Sequence, residues 1–143
     1  MYTYKAKINR VIDGDSVVID IDLGFDTWIK DQNVRIYGID TPEVRTKDPL
    51  EKAHGKLAKA FVEKILPKGS RVAITTVKDG DKFGRVLGIV RTSTGLDIAQ
   101  ELLQERLAVP YDGTKSKSEI EQDHIKNREI LILENKLKKD ENQ

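Results

Sequence analysis

Hydrophobic and polar residues alternate along the first third of the chain in the manner of β-strands. The alternation is loose from Tyr2 to Ile12 and becomes strict from Asp15 onward. Where it is strict, aspartates lie on one face, and the other face carries the hydrophobic side chains Val17, Ile19, Ile21, Leu23 and Phe25. Asp13-Gly14 is a strong signal for a tight turn, so the pattern predicts two strands separated at that pair.

A third, buried strand is predicted for Val34 to Ile39, which is rich in β-branched and aromatic residues. Pro42 has no amide hydrogen and restricts the backbone of Thr41, so the strand must end there. The preceding segment, Trp28 to Asn33, ends in polar residues that are common in turns. It is therefore predicted to be a connection between strands.

The first helix is predicted to follow a polar loop that begins at Val44. It starts at Glu51 or Lys56 and ends at Leu66, before the breaker Pro67-Lys68-Gly69. The hydrophobic residues that recur at helical spacing within it are Leu57, Ala60, Phe61 and Ile65.

Two capping-box patterns predict two further helices. Asp97 with Gln100 opens a short helix through Leu107, and Ser118 with Glu121 opens a charged helix that runs to about Lys136. His54 and His124 stand alone on charged segments and are predicted to be solvated helix positions, not ligands.

The remaining strands are predicted at Arg71 to Val77 and at Arg85 to Arg91. The order is therefore three strands, a helix, two strands and two helices. Five short strands with helices match a small closed barrel of the oligonucleotide-binding kind better than a sandwich. The predicted fold class is α+β, an OB-fold barrel of five strands with about three helices.

Length and composition restrict the class of protein further. With 143 residues, the chain is predicted to be one domain over 1–143, with residues 138–143 frayed. Its 38% hydrophobic and 34% charged residues are typical of a soluble globular protein, and no segment approaches the ~20 apolar residues of a membrane span. The absence of cysteine excludes disulfides and thiolate metal sites.

No signal-peptide pattern precedes the first strand, so a cytoplasmic location is expected. A processed secreted fragment that had acquired a new Met1 would look the same. The net charge of +1 hides a mildly basic middle, since residues 41–113 carry 13 basic and 10 acidic side chains. That balance permits a phosphate-rich partner but does not require one.

Charged residues that could take part in a reaction collect at the ends of three predicted strands. The segments are Asp13-Gly14-Asp15-Ser16, Asp40-Thr41-Pro42-Glu43 and Asp81-Lys82-Phe83-Gly84-Arg85. Arg35 lies in the strand that ends at Asp40, and this combination suits a metal-assisted reaction on an anion. Asp15 shares the parity of the hydrophobic face, where a carboxylate is costly unless it is paired or coordinated. The alternative is that Asp15 merely belongs to a turn.

In this order, the three segments resemble the staphylococcal nuclease (thermonuclease) family. That family carries Asp-Gly-Asp-Thr, an Arg shortly before Asp-Thr-Pro-Glu, and Asp-Lys-Tyr-Gly-Arg. The resemblance extends from Tyr4 to the last helix, and the chain looks like the leaderless members met in bacteriophage and mobile elements. It implies a five-stranded barrel with three helices that hydrolyses phosphodiester bonds in DNA and RNA with a Ca²⁺ ion.

The resemblance also implies the metal and catalytic residues. The calcium ligands would be the carboxylates of Asp15 and Asp40 and the backbone carbonyl of Thr41. Ca²⁺ takes hard oxygen ligands in flexible geometry, so this set leaves positions for water and a phosphate oxygen. The catalytic residues would be Arg35, Glu43 and Arg85. A glutamate can orient or deprotonate the attacking water, and each arginine can hold phosphate oxygens with its planar fork.

The substrate-binding residues implied by the resemblance are Lys82, Phe83 and Tyr111, the last of which is aligned only loosely. Phe83 replaces the usual Tyr of the family, which removes a hydroxyl but keeps a ring for base stacking. Weaker phosphate binding with retained chemistry is therefore expected. Ser16 in place of Thr is a minor change.

The preferred interpretation is a metal-dependent nuclease that acts on single-stranded or frayed nucleic acid, as a monomer without a membrane or protein partner. The alternative is a non-catalytic module of the same fold that binds single strands. Such a module would be expected to lose a catalytic residue or a calcium ligand, whereas every charged residue of the family set is present. A third class, an interaction domain without a nucleic-acid partner, would show no salt-dependent affinity for oligonucleotides.

Overall fold

The protein is described by a computed structural model over residues 2–77 and 84–138. The strands in these ranges are β1 (Thr3–Asp13), β2 (Ser16–Asp22), β3 (Trp28–Ile36), β4 (Ile39–Asp40), β5 (Arg71–Thr76), β6 (Val86–Thr92) and β7 (Val109–Pro110). The helices are α1 (Pro49–Ile65), α2 (Ile98–Gln104) and α3 (Lys117–Leu133). The predicted frayed end, 138–143, lies outside these ranges except for Lys138.

Five of the strands close into a barrel in the order β1-β2-β3-β6-β5, and β5 returns to pair with β1. The pairing of β3 with β6 is parallel, and the other pairings in the barrel are antiparallel. The short strands β4 and β7 form a separate two-stranded sheet. The predicted fold class, a five-stranded barrel with three helices, is confirmed.

The strict alternation in β2 builds a portion of the barrel core. Val17, Ile19 and Ile21 are buried as predicted. Leu23 and Phe25 were predicted on the same face, but they are 42% and 102% exposed. The prediction is wrong there because β2 ends at Asp22 and the chain turns, with positive φ at Gly24 and Phe25. A period of two residues has no meaning once the backbone leaves the extended conformation.

The segment predicted as a connection, Trp28 to Asn33, is in fact the first two thirds of β3. It pairs with β2 from Trp28 opposite Asp22 to Asn33 opposite Val18. Most of its side chains are exposed, so it lacks the hydrophobic pattern by which strands are recognised. The turn-like residue Asp31 takes a positive φ beside a register shift, and its amide donates to Asp20 Oδ1 at 2.9 Å.

Helix α1 begins earlier than predicted. Asp48 caps it by accepting hydrogen bonds from the amides of Leu50 and Glu51, and Pro49 occupies the first turn, where a missing amide hydrogen costs nothing. The residues after Pro49 that were assigned to a loop are therefore helical. The buried face is also rotated from the predicted one, since Ala60 is exposed. That face consists of His54, Gly55, Ala58 and Val62.

The ends of the other helices differ from the prediction by a few residues. Asp97 caps α2 as predicted, although the helix stops at Gln104. The capping box of α3 is formed by Ser116 with Glu119, because that pair meets the same spacing rule two residues earlier than Ser118 with Glu121. No helix in the described ranges is both long enough and apolar enough to cross a membrane.

Candidate active site

The hairpin of β2 and β3 brings two of the predicted site segments together. Ser16 pairs with Arg35 across the two strands, which places the Gly14-Asp15 turn beside the end of β3. The Ile36 amide then donates to the Asp15 carbonyl at 2.8 Å. The chain turns at Gly38, where φ is positive, and enters β4, which ends at Asp40. Antiparallel pairing of Asp40 with Val109 of β7 holds that end in place.

Arg35 contacts both Asp15 and Asp40, and these three residues are named the strand cluster below. Nη1 of Arg35 lies 3.5 Å from Oδ2 of Asp15, and its Nη2 lies 3.5 Å from Oδ1 of Asp40. The three side chains are 13%, 14% and 29% exposed in the order Arg35, Asp15, Asp40. Asp15 lies in the turn between β1 and β2 and is also paired with Arg35, so it does not merely belong to a turn. One guanidinium compensates two carboxylates that would otherwise repel each other.

Two further residues tie Asp15 to its surroundings. The Thr41 amide donates to Oδ2 of Asp15 at 3.1 Å, and the hydroxyl of Ser16 donates to Oδ1 at 3.2 Å. Nη1 of Arg85 donates to the same Ser16 hydroxyl at 3.3 Å. Ser16 therefore links Arg85 with Asp15. The sequence analysis treats Ser16 only as a minor change from the threonine of the family and does not predict this link.

Glu43 lies on the exposed loop after Pro42. Partial desolvation raises its pKa, and the negative charges of Asp15 and Asp40 raise it further. The pKa of Asp13 is also raised, first by burial and then by Asp15. The carboxylates of this region therefore share one electrostatic environment, in which added positive charge would be favourable.

Helix α1 packs directly against the backbone of the loop that carries Glu43. A Cβ atom placed on Gly55 would lie 2.6 Å from the Glu43 carbonyl oxygen and 2.8 Å from that of Pro42. A Cβ atom on Gly14 would lie 2.9 Å from Cβ of Ala58. Small residues at these positions thus allow the helix, the turn and the loop to approach closely.

Both histidines are buried, which contradicts their prediction as solvated positions. His54 and His124 are 0% and 3% exposed. Nε2 of His124 lies 2.8 Å from Oδ2 of Asp40, and Nε2 of His54 lies 3.0 Å from the carbonyl oxygen of Arg106. The available signal was spacing, because His54 precedes the buried Ala58 and Val62 by one and two turns. The polarity of the two histidines and the charged residues beside them favour exposure instead, so the spacing alone does not predict their burial.

The two histidines and Arg128, named the helix cluster below, lie between α1 and α3. The rings are edge-on, with centroids 6.1 Å apart. Arg128 is 4% exposed and lies 3.6 Å from Glu51 and 3.5 Å from Glu121. The pKa of His54 is lowered to about 4, mainly by burial and in smaller part by the charge of Arg128. His54 is therefore neutral at pH 7 and donates its Nε2 hydrogen to the Arg106 carbonyl.

The structure describes only one of the predicted substrate-binding residues. Lys82 and Phe83 lie outside the described residues, as does Asp81. The Tyr111 amide donates to the carbonyl of Gly38 at 2.9 Å, so its backbone lies close to the chain that leads into Asp40.

The oxygen donors of the strand cluster suit a hard cation. Within residues 2–77 and 84–138, no group of three or more His, Cys, Asp or Glu side chains is arranged to hold a metal ion. Asp15 and Asp40 nevertheless converge on one positive charge, and Glu43 adds negative charge nearby. Two carboxylates of this kind fit Ca²⁺ or Mg²⁺, with the remaining coordination positions open to water or to a substrate oxygen.

Comparison with known proteins gives relatives for most of the chain. The family described as Staphylococcal nuclease homologue matches residues 33–140. Thermonuclease of Staphylococcus hyicus is 33% identical over 103 residues, which are 71% of this chain and 53% of that protein. Thermonuclease of Staphylococcus intermedius is 39% identical over 85 residues, 58% of this chain and 46% of that protein.

A more distant relative is Endonuclease YhcR of Bacillus subtilis, which is 25% identical over 114 residues, 76% of this chain and 9% of that protein. The chain thus spans about half the length of the two thermonucleases and a small fraction of the endonuclease. Asp15 precedes the range that matches the family, so its association with Arg35 rests on the structure.

Proposed function

The chain belongs to the staphylococcal nuclease family, and from that premise we propose that it is a metal-dependent nuclease that hydrolyses phosphodiester bonds with Ca²⁺ as its ion. The observation that carries the proposal is the strand cluster, in which Arg35 lies 3.5 Å from each of two carboxylates. Arg85 is held nearby through Ser16, and Glu43 lies on the adjoining loop. Carboxylate and guanidinium groups therefore lie together in one region of the protein.

The residues proposed to hold the ion are Asp15, Asp40 and the backbone carbonyl of Thr41. A bound Ca²⁺ would supply Lewis-acid polarisation of the phosphodiester and a position for the attacking water. The hydrogen bond from the Thr41 amide to Asp15 joins the two ligand segments across the barrel end. This bond holds the two proposed ligand segments side by side.

Glu43 is the proposed general base. Its raised pKa gives the carboxylate more affinity for a proton than an ordinary glutamate has, and its exposed position allows contact with a substrate-bound water. Glu43 would accept a proton from that water as the water oxygen bonds to phosphorus. The bond from phosphorus to one ester oxygen would break, and that oxygen would leave with a proton taken from solvent as the hydroxyl of the second product. Arg35 and Arg85 would hold the non-bridging phosphate oxygens, on which negative charge increases in the transition state.

The proposed substrate is single-stranded or frayed DNA, with RNA as a second substrate. Lys82, Phe83 and Tyr111 are the proposed contacts to the nucleotide. An aromatic ring stacks on any base, so Phe83 would contribute affinity without strong sequence preference.

Cleavage of a fluorescent single-stranded DNA in Ca²⁺, in Mg²⁺ and in chelator tests the proposal. The test compares the natural protein with Glu43→Gln and with Glu63→Gln, a matched control at an exposed position of α1. We expect calcium-dependent cleavage that falls by about 10²–10⁴-fold in Glu43→Gln and is unchanged in Glu63→Gln. Cleavage supported only by Mg²⁺ would change the ion. Binding without cleavage in every metal would leave a non-catalytic single-strand binder.

A further inference from the structure

Both carboxylate oxygens of Asp40 have protein partners. Oδ1 faces Arg35 at 3.5 Å, and Oδ2 lies 2.8 Å from Nε2 of His124, a residue 84 positions later in the chain. An ionised carboxylate can only accept hydrogen bonds, so the hydrogen belongs to Nε2 of His124 and is donated to Asp40. The distance is in the range of a strong hydrogen bond to a charged group.

The His124 ring is held in place from several sides. It is 3% exposed and meets the His54 ring edge-on, while His54 is itself bonded to the Arg106 carbonyl. The start of α3 is defined by the capping box of Ser116 and Glu119. A side chain that is fixed in this way can determine the orientation of its partner.

The backbone around His124 is also tied to the backbone of Asp40. Asn127, one turn later on α3, donates from Nδ2 to the Ala108 carbonyl at 3.3 Å. Ala108 leads directly into β7, where Val109 pairs with Asp40. The helix, β7 and β4 therefore form a closed path, in which the hydrogen bond from His124 to Asp40 is the last connection.

We propose that His124 is a positioning residue of the metal site, which orients the Asp40 carboxylate so that it can receive the cation together with Asp15. This inference rests on the proposed function. Strand β4 is only two residues long, and Asp40 is more exposed than Arg35 or Asp15. Without the donor from α3, the carboxylate would retain Arg35 as its partner and could rotate toward it. A hydrogen-bonding partner of a metal ligand typically contributes about 10–100-fold to metal affinity.

The test measures the dissociation constant of Ca²⁺ by calorimetry, with no substrate present, for the natural protein and three variants at this position. His124→Gln keeps an N–H donor about as far along the side chain as Nε2. His124→Asn places its donor one carbon short of that position, and His124→Leu has no donor. Each variant is also unfolded thermally in chelator to verify that it is folded.

We expect His124→Leu and His124→Asn to weaken Ca²⁺ binding by about 10–100-fold and His124→Gln to remain within a few-fold of the natural protein. Leu131→Val is the matched control, because Leu131 is equally buried on the same helix but makes no hydrogen bond to Asp40. It should lower the melting temperature and leave the dissociation constant within a few-fold. If His124→Leu does not fold, the comparison of Gln with Asn decides.

The proposal is overturned if the natural protein binds Ca²⁺ and the folded Leu or Asn variant binds it equally well. It is also overturned if Leu131→Val weakens binding as much as His124→Asn does, since the effect would then be one of general packing. A natural protein that binds no Ca²⁺ in the calorimeter would instead refute the metal assignment of the proposed function, and this inference with it.

Discussion

Asp40 belongs to the strand cluster and contacts the helix cluster through His124, and the two clusters hold their charges in different ways. In the strand cluster, each charged side chain faces an opposite charge and keeps some contact with solvent. In the helix cluster, the side chains are at most 4% exposed. There, Nδ1 of each histidine and Nε of Arg128 have no hydrogen-bond partner among the described residues.

The difference indicates what each cluster can do. Paired and partly solvated charges can exchange one partner for another at moderate cost, as binding of a cation or phosphate requires. Buried polar atoms without partners are costly, and they favour neutral forms and a single arrangement. The strand cluster is therefore suited to chemistry, and the helix cluster is suited to holding geometry at some expense of stability. Substitution of Arg35 in the strand cluster and of Arg128 in the helix cluster should therefore separate activity from stability.

The largest effect is expected from Arg35→Lys in the strand cluster. Lysine keeps the positive charge between the carboxylates but lacks the planar fork, so cleavage of single-stranded DNA should fall by about 10²–10³-fold. The free energy of unfolding should change by less than about 1 kcal/mol. Kinetics and urea denaturation measure the two quantities, with Arg91→Lys on the exposed face of β6 as the control. Equal losses of activity and stability would remove the distinction between the clusters.

The opposite behaviour is expected from Arg128→Met in the helix cluster. Methionine fills the volume but leaves the charges of Glu51 and Glu121 without their buried partner. Because both glutamates retain some solvent contact, the free energy of unfolding should fall by about 2–3 kcal/mol rather than more. Cleavage by the folded protein should stay within a few-fold of the natural rate. A stable Arg128→Met protein with little activity would contradict the assignment of a holding role.

A smaller effect is expected from pH through His54. The pKa of this ring is lowered from 6.5 to about 4 in the folded protein, so the unfolded chain binds a proton first as the pH falls. The stabilising contribution is fully present above pH 6.5 and is lost progressively between pH 6.5 and 4, which amounts to about 2 kcal/mol at pH 4.5. Urea denaturation at pH 7.5 and 4.5 should therefore show a shallower pH dependence for His54→Gln. An unchanged pH dependence in that variant would mean that another group is responsible.

The smallest effect is expected at the start of α3, the helix that carries His124. Ser116→Ala removes the cap and should lower the free energy of unfolding by about 1 kcal/mol. Ser118→Ala, two residues later, is exposed and should have almost no effect. Thermal unfolding of the pair distinguishes the capping box observed in the structure from the one predicted by pattern. A larger loss for Ser118→Ala would favour the predicted one.

The strand cluster could be predicted from sequence because it depends on short motifs at strand ends. Arg35 and Asp40 are placed together by their spacing along one predicted strand, whereas the grouping of Asp15 with them is implied only by the family resemblance. The beginning of β3 could not be predicted, because Trp28 to Asn33 is held by backbone pairing while most of its side chains are exposed. Hydrophobic pattern reports burial, and this segment has little of it.

The helix cluster was missed for a different reason. The burial of His54 and His124 results from the packing of α1 and α3 around them, which no local motif records. Spacing of one turn between His54 and Ala58, and between His124 and Arg128, was present in the sequence. This spacing does not by itself predict burial, because histidine and arginine are usually exposed on helices. A tertiary contact reversed that preference.

The span of 84 residues between Asp40 and His124 also has a consequence for the order in which the protein is assembled. During synthesis, the chain that forms the strand cluster leaves the ribosome well before α3 exists. The hairpin of β2 and β3 can pair at that time, but Asp40 lacks its second partner until the last described helix has folded against β7. On this view, a nascent chain contains Asp15, Arg35 and Asp40 early in synthesis, but the hydrogen bond from His124 to Asp40 forms only near its end. The docking of α3 would then set the moment at which the Asp40 carboxylate takes its final orientation.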